Sequence, residues 1–409
     1  MVRQLYAYIA LHTKTNSTSW QRVLDIFMYA CNNLSAPVFN IVLSFILIKR
    51  VSLDFWGEYV TLFLVVNTCV MILGWGNKEF LLREFSRSPS LIKTNWQNSF
   101  MYRSVIYCIV AVILFICFDY SLVRFLSVMA WITVFFIYKS TDVLILYKKT
   151  FIFSAVIESG GYIILAGLLL LSPQHSLTLD AVVLCSAAII LLKCIITIWY
   201  LHADIFPLKK ADPFFNRQNT LLLSLPFFLP SLAGMLQAKA DLYSVAWFLS
   251  KDKVGEYQIF MNLINVPHIL AGFVIMPFLK NIYRLRFTSI HKIIRMMTIG
   301  GILISLPVMG IIYIMIENYY GFSFSVWMYI IGYIQIIPFF IYLIKIHMLF
   351  RSDKQYVVIW ISLIAAVFGF VFSILLIPYF GLEGAILVSA LTQWFTLGLY
   401  SYFNRFLQR

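Results

Sequence analysis

Four ionisable residues stand inside long apolar runs of this chain: Glu158, Lys193, Lys239 and Asp241. Lys193 is the clearest, in the middle of IILLKCIITIW. A charge in hydrocarbon costs at least about 2.5–3.5 kcal/mol, so each needs a partner, a hydrated cavity or a route to the interface. Lys193 and Lys239 are point charges that attract an anion. Asp241 and Glu158 are carboxylates that can take up a proton or a sodium ion. A structural ion pair between helices is the competing reading for all four. Glu158 precedes Gly160-Gly161, a place where another backbone can come close. Lys239 and Asp241 are two apart and do not share a helix face, so each needs its own partner. Arg22 and Asp25, at the start of the first apolar run, are weaker candidates for the same two roles, anion contact and ion uptake. Lys139 and Asp142 have the spacing of a local pair, and Arg103 and Lys345 read as anchors near helix ends. His268, after Pro267, reads as a hydrogen-bonded structural histidine, with proton relay as the alternative.

The elements that must hold these charges are set by composition. The chain has 409 residues, of which 62% are hydrophobic and 12% charged, with a formal net charge of +14. Soluble domains carry about 25% charged residues. The positive excess lies in short breaks between apolar runs, which points to membrane topology and not to nucleic acid. A helix needs about 20 mostly apolar residues to cross the hydrocarbon. Breaks then delimit about twelve spans, near 23–48, 57–76, 100–119, 123–146, 151–171, 180–202, 221–247, 255–279, 294–316, 326–349, 356–377 and 382–404. Of the 31 Lys and Arg, 21 fall on one side of this alternation and 5 on the other. That asymmetry predicts a multi-pass protein with both termini in the cytoplasm. The first residues have too short an apolar core for a cleavable signal peptide. No GxxxxGK[ST] loop is present, so ATP hydrolysis is not expected. The six cysteines lie in apolar runs without a CxxC pair, so no disulfide framework or metal site is expected.

One short phrase occurs twice. Ser52–Tyr59 reads SLDFWGEY and Ser250–Tyr257 reads SKDKVGEY, at an offset of 198 residues. An Asn lies eight residues past each Tyr, at Asn67 and Asn265. Both phrases fall in the break after the first helix of a half. Six crossings separate them, so the halves are parallel repeats. The expected organisation is a six-helix lobe at 1–200, a cytoplasmic linker at 201–220 and a second six-helix lobe at 221–409. Each phrase is expected to form an outer hairpin turn, with its Gly allowing the turn and its Tyr at the membrane interface. Pro37, Pro226 and Pro230 predict broken first and seventh helices.

Other stretches carry a family resemblance. LPFFLPSLAGMLQAKADLYSVAWFLSKDKVGEY (225–257), IPYFGLEGAILVSAL (377–391) and GNKEFLLREFSR (76–87) resemble segments of the polysaccharide-exporter branch of the multidrug/oligosaccharidyl-lipid/polysaccharide superfamily. The resemblance implies an all-α integral membrane fold, two parallel six-helix lobes around a central cavity. It also implies a flippase in a bacterial inner membrane, not an enzyme. The cargo would be an undecaprenyl-pyrophosphate-linked oligosaccharide, an O-antigen or capsule repeat unit, moved from the cytoplasmic to the periplasmic leaflet. Lys193, Lys239 and Arg22 would then meet the pyrophosphate, and Asp241, Glu158 and Asp25 would couple transport to H⁺ or Na⁺. No other cofactor is implied. The partners would be the lipid-linked glycan, the bilayer and a glycan polymerase complex. Two other readings stand beside this one. A cation-coupled drug exporter of the same superfamily would have a less cationic cavity. A membrane glycosyltransferase or polymerase would need a carboxylate on a sizeable outer loop, and the outer breaks are short.

Overall fold

The computed structural model describes residues 35–117, 121–206, 217–275, 287–352 and 354–405. All regular structure among them is helical. The long helices are α1 (35–50), α2 (Leu53–Gly74), α3 (Ile92–Cys117), α4 (Leu122–Ser140), α5 (Phe151–Leu171) and α6 (Leu179–Tyr200). They continue with α7 (Arg217–Phe248), α8 (Lys251–Ile275), α9 (Phe287–Ile314), α10 (Val326–Arg351), α11 (355–380) and α12 (382–405). By length and composition, nine continuous helical runs among the described residues can cross a membrane. One of them is the 51-residue run Gln355–Arg405, which Gly381 divides into α11 and α12 at φ 56°, ψ −131°. That backbone conformation is open to glycine and strained for any residue with a Cβ.

The helices follow from composition. Their apolar residues run continuously instead of on one stripe, as expected where lipid or protein faces every side. Among the described residues, the short helix Asn77–Arg87 is the clearly amphipathic one. It buries Phe80, Leu81 and Phe85 and leaves Lys78 and Arg87 exposed. Prolines occur inside α7, α8, α9, α10 and α11 without ending them. The expected break in α7 is therefore absent: the helix runs unbroken through Pro226 and Pro230. The described part of α1 is likewise helical through Pro37. A neighbouring helix or a local adjustment can re-satisfy the carbonyl each proline frees.

The chain forms two compact units. One gathers the residues up to Asn40 with Cys69–Leu225; the other gathers Ile41–Thr68 with Pro226–Arg409. The boundary passes through α1, α2 and α7, and in α7 it falls at Pro226. In the first unit α4 and α6 make the most extensive packing, with Trp131, Ile132, Val182 and Val183 fully buried. In the second, α10 packs along α11 and α12 and is joined by α8 and α9.

The repeated phrase has a clear place in the second unit. Ser52 caps α2, its Oγ accepting from the Phe55 N–H at 3.1 Å, and Ser250 stands at the equivalent position before α8. Asp54 and Asp252 lie in the first turns, where the helix dipole favours a carboxylate. The glycines are not turn residues. Gly57 and Gly255 each occupy the fifth position of a helix, and there the two helices cross. A Cβ on Gly57 would collide with the Lys251 backbone. A Cβ on Gly255 would stand 3.1 Å from the Leu53 carbonyl oxygen and 3.0 Å from Trp56 Cδ1. Leu53 and Lys251 are equivalent under the 198-residue offset, so the contact is reciprocal, each copy's Gly lying on the other copy's first helical residue. Nor are the tyrosines interfacial: Tyr59 is buried and Tyr257 fully so. A helix crossing this close removes the room for side chains and buries what lies one turn further in.

Gly381→Ala should destabilise the purified protein by about 1–3 kcal/mol, the cost of forcing that backbone conformation on a residue with a Cβ. Gly310→Ala, in α9 with open space around its Cα, should not. Thermal unfolding of both variants in detergent checks this, and equal behaviour would contradict it.

Candidate functional site

The two pairs of buried charges fall in different units and meet different fates. In the first unit α5 brings Glu158 and α6 brings Lys193 together. Lys193 Nζ donates to Glu158 Oε2 at 2.7 Å, and both side chains are nearly inaccessible, at 4% and 12% exposure. Tyr138 of α4 donates its hydroxyl to Glu158 Oε1 at 3.0 Å. The Tyr162 ring lies under the Lys193 ammonium at 3.6 Å and stacks on Phe39. Gly161 makes the path: a Cβ there would overlap the Lys193 side chain. Of the Gly160-Gly161 pair, Gly161 thus admits a crossing side chain, not a crossing backbone, and Gly160 stands beside open space. Carboxylate, phenol and ring together provide what a buried ammonium needs.

Around this cluster, Lys139 Nζ meets Asp142 Oδ2 at 3.2 Å, as their spacing predicts. Arg103 departs from the anchor reading. It is buried at 3% exposure, donating from Nε to the Ser99 carbonyl at 3.2 Å and from Nη1 to Ser140 Oγ at 3.1 Å. It also lies 5.2 Å from the centre of the Phe136 ring. Ser140 ends α4, so the guanidinium is placed at the negative end of that helix.

The second unit holds a cavity of about 290 Å³ lined by both polar and apolar side chains. Lys239, Asp241, His268, Gln335, Ser389 and Thr392 are among its walls. Asp241 is buried. Its Oδ1 accepts from the Leu242 N–H at 2.7 Å, and its Oδ2 accepts from the Tyr257 hydroxyl at 2.6 Å. Lys239 lines the same cavity with no hydrogen bond or ion pair recorded among the described residues, although Asp241 lies near enough to act on it electrostatically. The neutral groups brace one another. Gln335 donates to Ser389 at 2.7 Å, Gln237 to Thr396 at 2.9 Å, and Tyr342 to Gln393 at 2.7 Å. His268 Nδ1 pairs with Asn265 Oδ1 at 3.2 Å, so the second Asn of the repeat orients this histidine. Gln335 Oε1 and Thr392 Oγ1 are buried without a hydrogen-bond partner among the described residues. An aqueous or polar occupant would complete them.

The structure therefore pairs Lys193 with Glu158 and places Lys239 and Asp241 on one cavity. Arg22 and Asp25 lie outside the described residues. The site residues not singled out from sequence are mostly uncharged. Ser389, Thr392, Gln393 and Thr396 recur at helical spacing on one face of an apolar run, a legible signal. Tyr138 and Tyr162 carried none beyond their type.

No family model matches the chain, and no curated protein matches it by sequence. Solved structures do match the fold. The lipid II flippase MurJ in an inward closed conformation aligns at a TM-score of 0.74 and 11% identity, over 93% of this chain and 87% of that one. A transporter of the multidrug/oligosaccharidyl-lipid/polysaccharide superfamily from Pyrococcus furiosus aligns at 0.58 and 11% identity, over 93% and 94%. An outward-facing multidrug resistance transporter of the MATE family aligns at 0.55 and 12% identity, over 92% and 95%. The chain has the all-helical fold of these membrane transporters.

Glu158→Gln should cost about 3–5 kcal/mol, because it leaves the Lys193 ammonium buried and unpaired. Adding Lys193→Met should recover most of that loss. Thermal unfolding of the single and double variants decides it; a double variant no more stable than the single would contradict the pairing.

Proposed function

We propose that this protein is a flippase for an undecaprenyl-pyrophosphate-linked oligosaccharide, an O-antigen or capsule repeat unit, driven by an ion gradient. The observation that carries the reading is the second-unit cavity, where a Lys without a recorded partner and a buried carboxylate lie together inside a transporter fold. Lys239 attracts the pyrophosphate as a point charge, and the lipid tail stays in the bilayer. Asp241 takes up the coupling H⁺ or Na⁺, with the buried oxygens of Gln335 and Thr392 close on the same cavity wall. Lys193 and Glu158 neutralise each other, so they meet cargo or ion only when that pair opens. Arg22 and Asp25, at the start of the first apolar run, act at the cytoplasmic mouth. The protein works in the bacterial inner membrane with both termini inside, alternates access between the leaflets and supplies a glycan polymerase complex on the outer side.

The higher TM-score to the lipid II flippase than to the MATE transporters supports a lipid-linked cargo over a drug. Deletion of the gene in its bacterium should abolish surface polysaccharide and leave repeat units on the cytoplasmic leaflet. Lys239→Ala and Asp241→Asn should each reduce export at unchanged protein level in the membrane, assayed by tracking the lipid-linked glycan. Normal export from the deletion strain would overturn the assignment, and normal export by both variants would overturn the roles.

A further inference from the structure

We propose that Tyr257 is a positioning residue that ties the crossing of α2 and α8 to the carboxylate of Asp241. The inference rests on the coupling role given to Asp241 above. Tyr257 belongs to the repeated phrase and stands two residues after Gly255, one of the two glycines at the crossing. Its ring is fully buried, and its hydroxyl lies 2.6 Å from Asp241 Oδ2. The Ala385 carbonyl is a more distant alternative acceptor at 3.5 Å, so the single proton goes to the carboxylate. An O–H···O⁻ bond of this length is among the stronger ones in proteins. Gly255 and Tyr257 share one continuous helix. A tilt that parts α8 from both α2 and α7 also draws the hydroxyl away from Asp241 on α7. Conversely, an Asp241 occupied by an ion or proton holds the hydroxyl less firmly and loosens the crossing.

The symmetry of the repeat sharpens the point. The crossing is reciprocal, but the position equivalent to Asp241 in the first half is Leu43, which is buried at 1% exposure. The Tyr59 ring stacks near Trp56 and Phe63. The other titratable groups on the cavity of Asp241 are Lys239 from its own helix, His268 from α8 and Tyr342 from α10. None of them has a recorded hydrogen bond to it.

Val254 is fully buried beside Gly255, so a cysteine there reports on separation of the helices. The test uses Val254→Cys in the full chain, with the six native cysteines replaced, in nanodiscs. The readout is the rate of labelling by a hydrophilic maleimide. Tyr257→Phe keeps the ring and removes only the hydroxyl. It should raise the labelling rate roughly tenfold, the equivalent of one hydrogen bond to a charged group. Asp241→Asn should raise it similarly, and the double variant should add little, because both remove one interaction. An unchanged rate in Tyr257→Phe would overturn the proposal, as would fully multiplicative effects in the double variant. If Asp241→Asn exports glycan normally while Tyr257→Phe still opens the crossing, the coupling reading fails and the mechanical link stands.

Discussion

A charge cannot sit alone in hydrocarbon, and the rest of this structure is arranged around that constraint. Lys193 meets it with a carboxylate braced by a phenol and with an aromatic face, all on helices of the first unit. Arg103 meets it with a helix end, a serine and a phenylalanine. Asp241 meets it with a tyrosine and a backbone N–H, on the wall of a cavity. Lys239 is the exception with consequences. It lines a cavity, and among the described residues it makes no ion pair or hydrogen bond. A fixed ion pair is self-sufficient; a charge left to a cavity is available to a ligand.

Much of the fold was legible because a membrane helix writes its length in apolar residues. The run expected at 151–171 is the helix Phe151–Leu171, and those expected at 180–202 and 326–349 are within a few residues of Leu179–Tyr200 and Val326–Arg351. The proline breaks were misread because proline reports only a missing hydrogen bond, and a membrane protein can supply one from a neighbouring helix. The site was legible in part for a different reason. A buried charge announces itself by its surroundings in sequence, so Lys193, Glu158, Lys239 and Asp241 all stood out. Which of them pair was not legible, because Glu158 and Lys193 are brought together by the packing of two helices. The sequence pattern also concealed that Gly161 clears the way for Lys193.

The repeated phrase shows how the same letters can be read twice. As sequence it marks a period of 198 residues and suggests a pair of outer turns. In the folded chain each Ser lies immediately before a helix, each Asp is in a first turn, and the two Gly form one reciprocal crossing. The Tyr then divides by half: one stacks among rings, the other holds the cavity carboxylate. The contact is reciprocal between the two phrases, while the 198-residue offset pairs Asp241 with Leu43.

The central claim is that the second-unit cavity couples an ion to movement of a lipid-linked anion. It is tested most directly by reconstituting the purified full chain in liposomes with an undecaprenyl-pyrophosphate-linked oligosaccharide and following its transfer between leaflets. Transfer should accelerate under an imposed H⁺ or Na⁺ gradient and should lose that acceleration in Asp241→Asn. Transfer at the rate of protein-free liposomes under both gradients would contradict the account.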